Sequence, residues 1–113
     1  FLTERMRVAE QAGVRADNII LDPGFGFGKS VEHNYQLLAS LEQLHILGHP
    51  LLVGVSRKSM LGAVTGRDVN ERLPASLAAA TISAMKGASI LRVHDVRETV
   101  DAVRIVTAVK EAI

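Results

Sequence analysis

The sequence predicts an α/β fold built from right-handed parallel βαβ units. Three observations lead there: helical and strand patterns alternate along the chain, the strand-like runs are short and apolar, and each ends in polar or charged residues. Apolar residues make up 48% of the 113 residues, enough for a packed core in one domain spanning 1–113.

From Leu2 to Ala12 apolar residues recur at helical spacing as Leu2, Met6 and Ala9, and Gly13 supplies the stop just past the helix end. The chain opens at Phe1 inside that pattern with no cap before it, the expectation for a truncated start. Asn18-Ile19-Ile20-Leu21-Asp22 is a short β-branched run broken by Pro23-Gly24, a buried strand leaving into a loop. Leu37, Leu41 and Leu44 share one helical face, and Gly48 and Pro50 end that helix.

Leu51 to Ser56 is a second apolar run, suited to a parallel strand covered on both faces, and Arg57-Lys58 follows at once. Ser59 opens a short helix running to Val64, whose free N–H groups attract a carboxylate or phosphate; a plain N-cap role explains Ser59 equally well. The Ala-rich stretch from Ala75 to Lys86 is a strong helix former with Pro74 in its first turn. A third strand runs from Ile90 to His94, and the last helix carries Ala102, Val106, Val109 and Ile113 on one face. Three parallel strands fit either a small open sheet or part of a closed (β/α)₈ barrel, which takes about 250 residues.

Several function classes drop out. Thirteen basic and 12 acidic residues leave a net charge of +1, so no strong field draws the chain to nucleic acid or an anionic membrane. Cysteine is absent, which removes disulfides, thiolate metal sites and cysteine nucleophiles and fits a reducing cytoplasm. The apolar stretches fall short of the roughly 18 to 20 residues of a membrane helix, so a soluble chain is expected.

The chemistry-bearing residues gather at strand exits: Asp22 on the first, Ser56-Arg57-Lys58 on the second, Arg92 and His94 on the third. In α/β folds that edge carries the site, although wet loops explain any single charge there. Arg92 and His94 are two apart, so they face one side while Val93 faces the other. A guanidinium and an imidazole together suit a phosphate or pyrophosphate. The bland alternative pairs Arg92 with Asp95 or Glu98 and leaves His94 as a cap. Gly24-Phe25-Gly26-Phe27-Gly28-Lys29-Ser30 is a near miss to a nucleotide P-loop, because Pro23 occupies the position of its first glycine. Three glycines permit a sharply bent or mobile loop, on which Phe25 and Phe27 either close over a flat aromatic ligand or pack the loop down. Asp22 either accepts two hydrogen bonds from an amidine-like ring edge, as a carboxylate reads guanine or pterin, or starts the Asp-Pro-Gly turn through its own side chain. Lys58 either reaches a ring carbonyl or nitrogen or is a surface lysine. His33, His45 and His49 lack convergent metal-ligand spacing and are expected at the surface.

Leu21-Asp22-Pro23-Gly24-Phe25-Gly26-Phe27-Gly28-Lys29, then Ser56-Arg57-Lys58-Ser59, then Arg92-Val93-His94-Asp95-Val96 resemble, in order and spacing, the later motifs of bacterial dihydropteroate synthases. The resemblance spans the whole chain and implies the last three parallel strands, with their helices, of a (β/α)₈ TIM barrel. It implies that the whole enzyme condenses 4-aminobenzoate with 6-hydroxymethyl-7,8-dihydropterin diphosphate, giving dihydropteroate and diphosphate in folate biosynthesis. Sulfonamides compete for the aminobenzoate site. By the same resemblance Asp22 and Lys58 hold the pterin, Phe27 and Ser59 lie near the aminobenzoate, Arg92 and His94 hold diphosphate, and Lys58, Arg92 and His94 are the catalytic set. It further implies a Mg²⁺ whose ligand lies upstream of this segment, a homodimer formed through the last helices, a cytoplasmic location, and no activity for the segment alone. Two other readings remain: a pterin-binding methyltransferase barrel, which has no need of Arg92 and His94 for diphosphate, and a non-catalytic half-barrel or dimerisation segment.

Overall fold

The computed structural model describes residues 2–15, 19–26 and 28–113. Phe1, Asn18 and Phe27, on which expectations above bear, lie outside the described residues. The order is α1 (Leu2–Gln11), α2 (Val31–Ala39), a 3₁₀ segment over Leu41–Leu47, β1 (Leu52–Val53), α3 (Ser59–Thr65), α4 (Leu73–Met85), β2 (Ile90–Leu91) and α5 (Val96–Glu111).

The predicted parallel arrangement is present. Leu52 pairs with Ile90 and Val53 with Leu91, while Leu21 bridges Leu51, also in parallel. The Leu52 N–H donates to the Leu21 carbonyl at 2.8 Å, and the Arg92 N–H donates to the Val53 carbonyl at 2.9 Å. The segment around Leu21, β1 and β2 therefore lie side by side and run the same way, which brings their C-terminal ends to one edge. Regular pairing is shorter than the apolar runs predict. Past Val53 the chain turns towards α3, with the Lys58 N–H donating to the Val55 carbonyl at 3.2 Å, so the ladder stops while burial continues through Val55 and Ser56.

The core lies between this sheet and the helices. Phe25, Leu41, Leu51, Val53 and Met60 are fully enclosed, with Leu21, Leu38, Val55, Leu61 and Ala79 around them. Each large side chain so buried contributes on the order of 1.5–3 kcal/mol relative to exposure. Phe25 thus packs its glycine loop down onto the core and does not stand free over a ligand.

Three helix expectations need correction. The single helix predicted through Leu37, Leu41 and Leu44 is divided: α2 stops at Ala39, Ser40 takes a non-helical conformation, and a 3₁₀ segment carries on to Gly48. A distant cation caps the break: Lys86 Nζ donates to the Ala39 carbonyl at 3.0 Å and to Glu42 at 3.0 Å, satisfying the carbonyl a continuing helix would have used. Ser59 is the first residue of α3, and Lys58 occupies the cap position, so Ser59 is not the N-cap. On α5, Val106 is buried and Val109 exposed, and Ile113 lies beyond the helix end at Glu111 instead of on its face. The Ala-rich helix begins with Pro74 in its first turn, as predicted, and its buried Ser76, Ala79, Ala80, Ser83 and Ala84 let α5 approach closely. Lys110 reaches from α5 to donate to the Ala84 carbonyl at 2.7 Å.

Candidate functional site

Asp22 leaves the sheet beside Leu21 and does two things at once. Its Oδ1 accepts the Gly24 N–H at 2.8 Å, forming the predicted turn, and its Oδ2 lies 3.9 Å from Arg92 Nη1. The glycine loop that follows takes left-handed backbone at Gly24 and Gly26, with φ of 75° and 86°, which suits glycine alone among ordinary residues. Asn34 of α2 holds this loop. Its buried Oδ1 accepts the Gly26 N–H at 2.8 Å, and its Nδ2 donates to the Ser30 carbonyl at 3.0 Å. Lys29 Nζ donates to the Gly24 carbonyl at 2.9 Å.

The exit of β1 supplies the opposite wall. Lys58 Nζ crosses to donate to the Phe25 carbonyl at 2.6 Å, tying the two loops together. Partial burial pushes the Lys58 ammonium below the usual lysine range; Arg92 and Lys29 push the same way, and Asp22 opposes them. Before it, Arg57 stands at φ 58°, the only left-handed non-glycine among the described residues. Four bonds hold it there: its N–H donates to Ser76 Oγ at 2.9 Å, its carbonyl accepts from Arg72 at 3.0 Å, and its guanidinium forks onto Asp95 at 2.8 and 3.3 Å. The bond to Asp95 raises the Arg57 pKa further.

β2 delivers Arg92 and His94. Asp95 is engaged by Arg57, which removes the bland Arg92–Asp95 pairing considered from sequence. The Arg92 side chain lies across the backbone of Gly54, where an added Cβ would sit 2.7 Å from Nη2. His94 is fastened at two points, with its N–H donating to Ser56 Oγ at 3.3 Å and its Nδ1 3.0 Å from the same oxygen. A recess of about 110 Å³ is lined by Gly54, Ser56, Lys58, Arg92, Val93 and His94. It is a small recess on which these donors converge, which suits an anionic group.

Asp22, Lys58, Arg92 and His94 are therefore brought to one edge, as their positions at strand exits predict. Ser59 follows Lys58 at the exposed start of α3 and does not line the recess; Phe27 lies outside the described residues. The residues that sequence reasoning missed are Gly54, Asn34 and the Arg57–Asp95 pair, together with the attachment of Ser56 to His94. Gly54 had a readable signal, because glycine within a strand marks close approach by another group. Chemically the arrangement offers a guanidinium, an ammonium and an imidazole to an anion, and one carboxylate oxygen to a neighbouring donor. Among the described residues no group of three or more His, Cys, Asp and Glu could hold a metal ion. No described helix is long and apolar enough to cross a membrane.

Comparison with known proteins follows the same lines. The family model described as "Pterin binding enzyme" matches residues 1–94. A dihydropteroate synthase of Escherichia coli K12 is 53% identical over 112 residues, covering 99% of this chain and 40% of its own length. One from Haemophilus influenzae is 49% identical, covering 99% and 41%. The solved structure of the Yersinia pestis dihydropteroate synthase with a sulfonamide drug superposes with a TM-score of 0.98 at 50% identity, over all of this chain and 41% of that one. The Xanthomonas albilineans dihydropteroate synthase in complex with 7,8-dihydropteroate gives 0.95 at 50% identity, over 97% of this chain and 42% of that one. The chain thus spans about two-fifths of the length of the relatives it matches.

Proposed function

We propose, from the premise that this chain belongs to the pterin-binding enzyme family, that it is the C-terminal portion of a dihydropteroate synthase and supplies the diphosphate side of its site. The whole protein would condense 4-aminobenzoate with 6-hydroxymethyl-7,8-dihydropterin diphosphate, releasing diphosphate. The observation that carries this reading is the meeting of Arg92, Lys58 and His94 around one small recess beside Asp22.

In this reading Arg92 and His94 bind the diphosphate and stabilise charge growing on it as the C–O bond ionises. These groups are already in place, so they act electrostatically and need no covalent intermediate. Lys58 and Asp22 orient the pterin edge: Asp22 Oδ2 accepts from the ring while Oδ1 stays committed to the Gly24 turn. Lys58, which donates to the Phe25 carbonyl, would offer its ammonium to a ring acceptor as well. Ser59 would border the aminobenzoate, the place where a sulfonamide would compete; the same role expected of Phe27 from the resemblance falls outside the described residues. A Mg²⁺ belongs to this proposal only through residues outside this segment, and no step here runs through it. The homodimer and cytoplasmic setting are likewise part of the proposal.

Calorimetry on the full-length protein with the pterin diphosphate tests it. Arg92→Ala and Asp22→Ala should each weaken binding by roughly 10- to 100-fold, the loss of a charge-assisted hydrogen bond. Unchanged affinity in both variants would sink the assignment. With inorganic diphosphate as ligand, only Arg92→Ala should matter.

A further inference from the structure

We propose that Ser56 is a positioning residue, whose hydroxyl fixes His94 in the tautomer carrying its proton on Nε2, so that the imidazole presents an N–H donor to an anion in the recess. This rests on reading Arg92 and His94 as the diphosphate pair.

A serine hydroxyl has one proton to donate and two lone pairs to accept with. Here the His94 backbone N–H donates to Ser56 Oγ at 3.3 Å, which occupies one lone pair. The Ser56 proton is free to go elsewhere, and His94 Nδ1 lies 3.0 Å away. Ser56 is only 7% exposed, so bulk water has little access to it, and among the described residues its hydroxyl has no hydrogen-bond partner beyond these two. Donation to Nδ1 makes that nitrogen the acceptor, which in a neutral imidazole puts the ring proton on Nε2. An anion takes hydrogen bonds from donors alone. The opposite tautomer would turn a lone pair towards it, so the side chain of Ser56 decides whether His94 attracts or repels the ligand. Ser56 is held in turn at the buried end of the β1 run, immediately before Arg57, whose backbone is pinned by Ser76 and Arg72.

The test is ¹⁵N NMR of the full-length protein labelled at histidine, with inorganic diphosphate as the probe. Wild type should show a single Nε2–H tautomer at His94, and added diphosphate should move the Nε2 signal. Ser56→Ala should give a mixed tautomer and weaken diphosphate binding roughly three- to tenfold, the worth of one neutral hydrogen bond. Ser56→Thr, which keeps the hydroxyl, should restore the single tautomer. In a His94→Ala background Ser56→Ala should cost nothing further, whereas a serine serving structure alone would weaken binding in both backgrounds. A wild-type proton on Nδ1, or a Ser56→Ala protein with its tautomer unaltered, would overturn the proposal, and the first needs no variant to fold. A wild-type Nε2–H tautomer with no response to diphosphate would support the action of Ser56 and remove the diphosphate reading instead.

Discussion

At the scale of single residues, Lys58 is the group whose environment leads to a pH effect. Burial and two cations push its pKa down. Its folded value thus lies below its unfolded one, and the unfolded chain binds more protons in the window between them. Stability therefore rises with pH through that window and carries the full penalty below it. An arriving anion reverses the push. Diphosphate binding should be accompanied by proton uptake at alkaline pH, just under the ordinary lysine value of about 10.4. Calorimetry in buffers of differing ionisation enthalpy measures that uptake, and Lys58→Met should abolish it; uptake that persists in the variant would place the proton elsewhere. Asp22, Lys58, Arg92 and His94 were legible in the sequence because a polar residue at the end of an apolar run has few places to go but the sheet edge. Their partners were not. Ser56 meets His94 across 38 positions and Lys58 meets Phe25 across 33, and no local pattern encodes which side chains converge at that range. The choice between the two readings of Phe25 was open for a related reason: aromatic residues between glycines fit a flap or a packed loop until the core beneath them is known.

At the scale of elements, helices were read well where apolar spacing decides, and poorly where a distant side chain does. The 3₁₀ segment keeps the leucine pattern of a continuous helix, so the break at Ser40 leaves no periodic trace; Lys86, 47 positions away from Ala39, caps it. The glycine loop depends on α2 in the same manner. Asn34 is 3% exposed and makes both of the loop's amide bonds, one as acceptor and one as donor. Removing it takes the side-chain partner from the Gly26 N–H, while the Ser30 carbonyl keeps the Asn34 backbone N–H at 3.0 Å, so the cost is that of an ordinary hydrogen bond, about 0.5–1.5 kcal/mol. Asn34→Ala should therefore loosen the loop before the rest of the fold. Hydrogen exchange at the Gly26 amide should quicken by roughly two- to tenfold while the α4 amides stay slow. Equal acceleration at both would mean that the loop and the helix open together and that Asn34 is not a local latch.

At the scale of the whole molecule, the limiting feature is the sheet itself. Among the described residues β2 pairs on one side only, and the Leu21 segment likewise pairs only with the stretch from Pro50 to Leu52. Strand edges of that kind hold N–H and C=O groups facing outward, a template for pairing with another chain. The surface beside them is apolar as well: a cavity of about 560 Å³ between β2 and α5 is lined by Leu91, Val93, Val96, Val100 and Val103. Three parallel strands cannot close a barrel, since closure needs a full ring of tilted, staggered strands. Produced alone, this chain should accordingly self-associate, with sedimentation coefficients that rise with concentration. A charge set on the β2 edge opposes such pairing, so Ile90→Lys, at a position 38% exposed, should shift the population towards monomer. Supplying the remaining strands as a separate chain should do the same by covering both edges, and should raise diphosphate affinity as the recess gains its missing walls. A chain that stays monomeric at every concentration, with the apolar face of α5 still exposed, would show that the two edges are masked within the segment and would remove the case for completion by another chain.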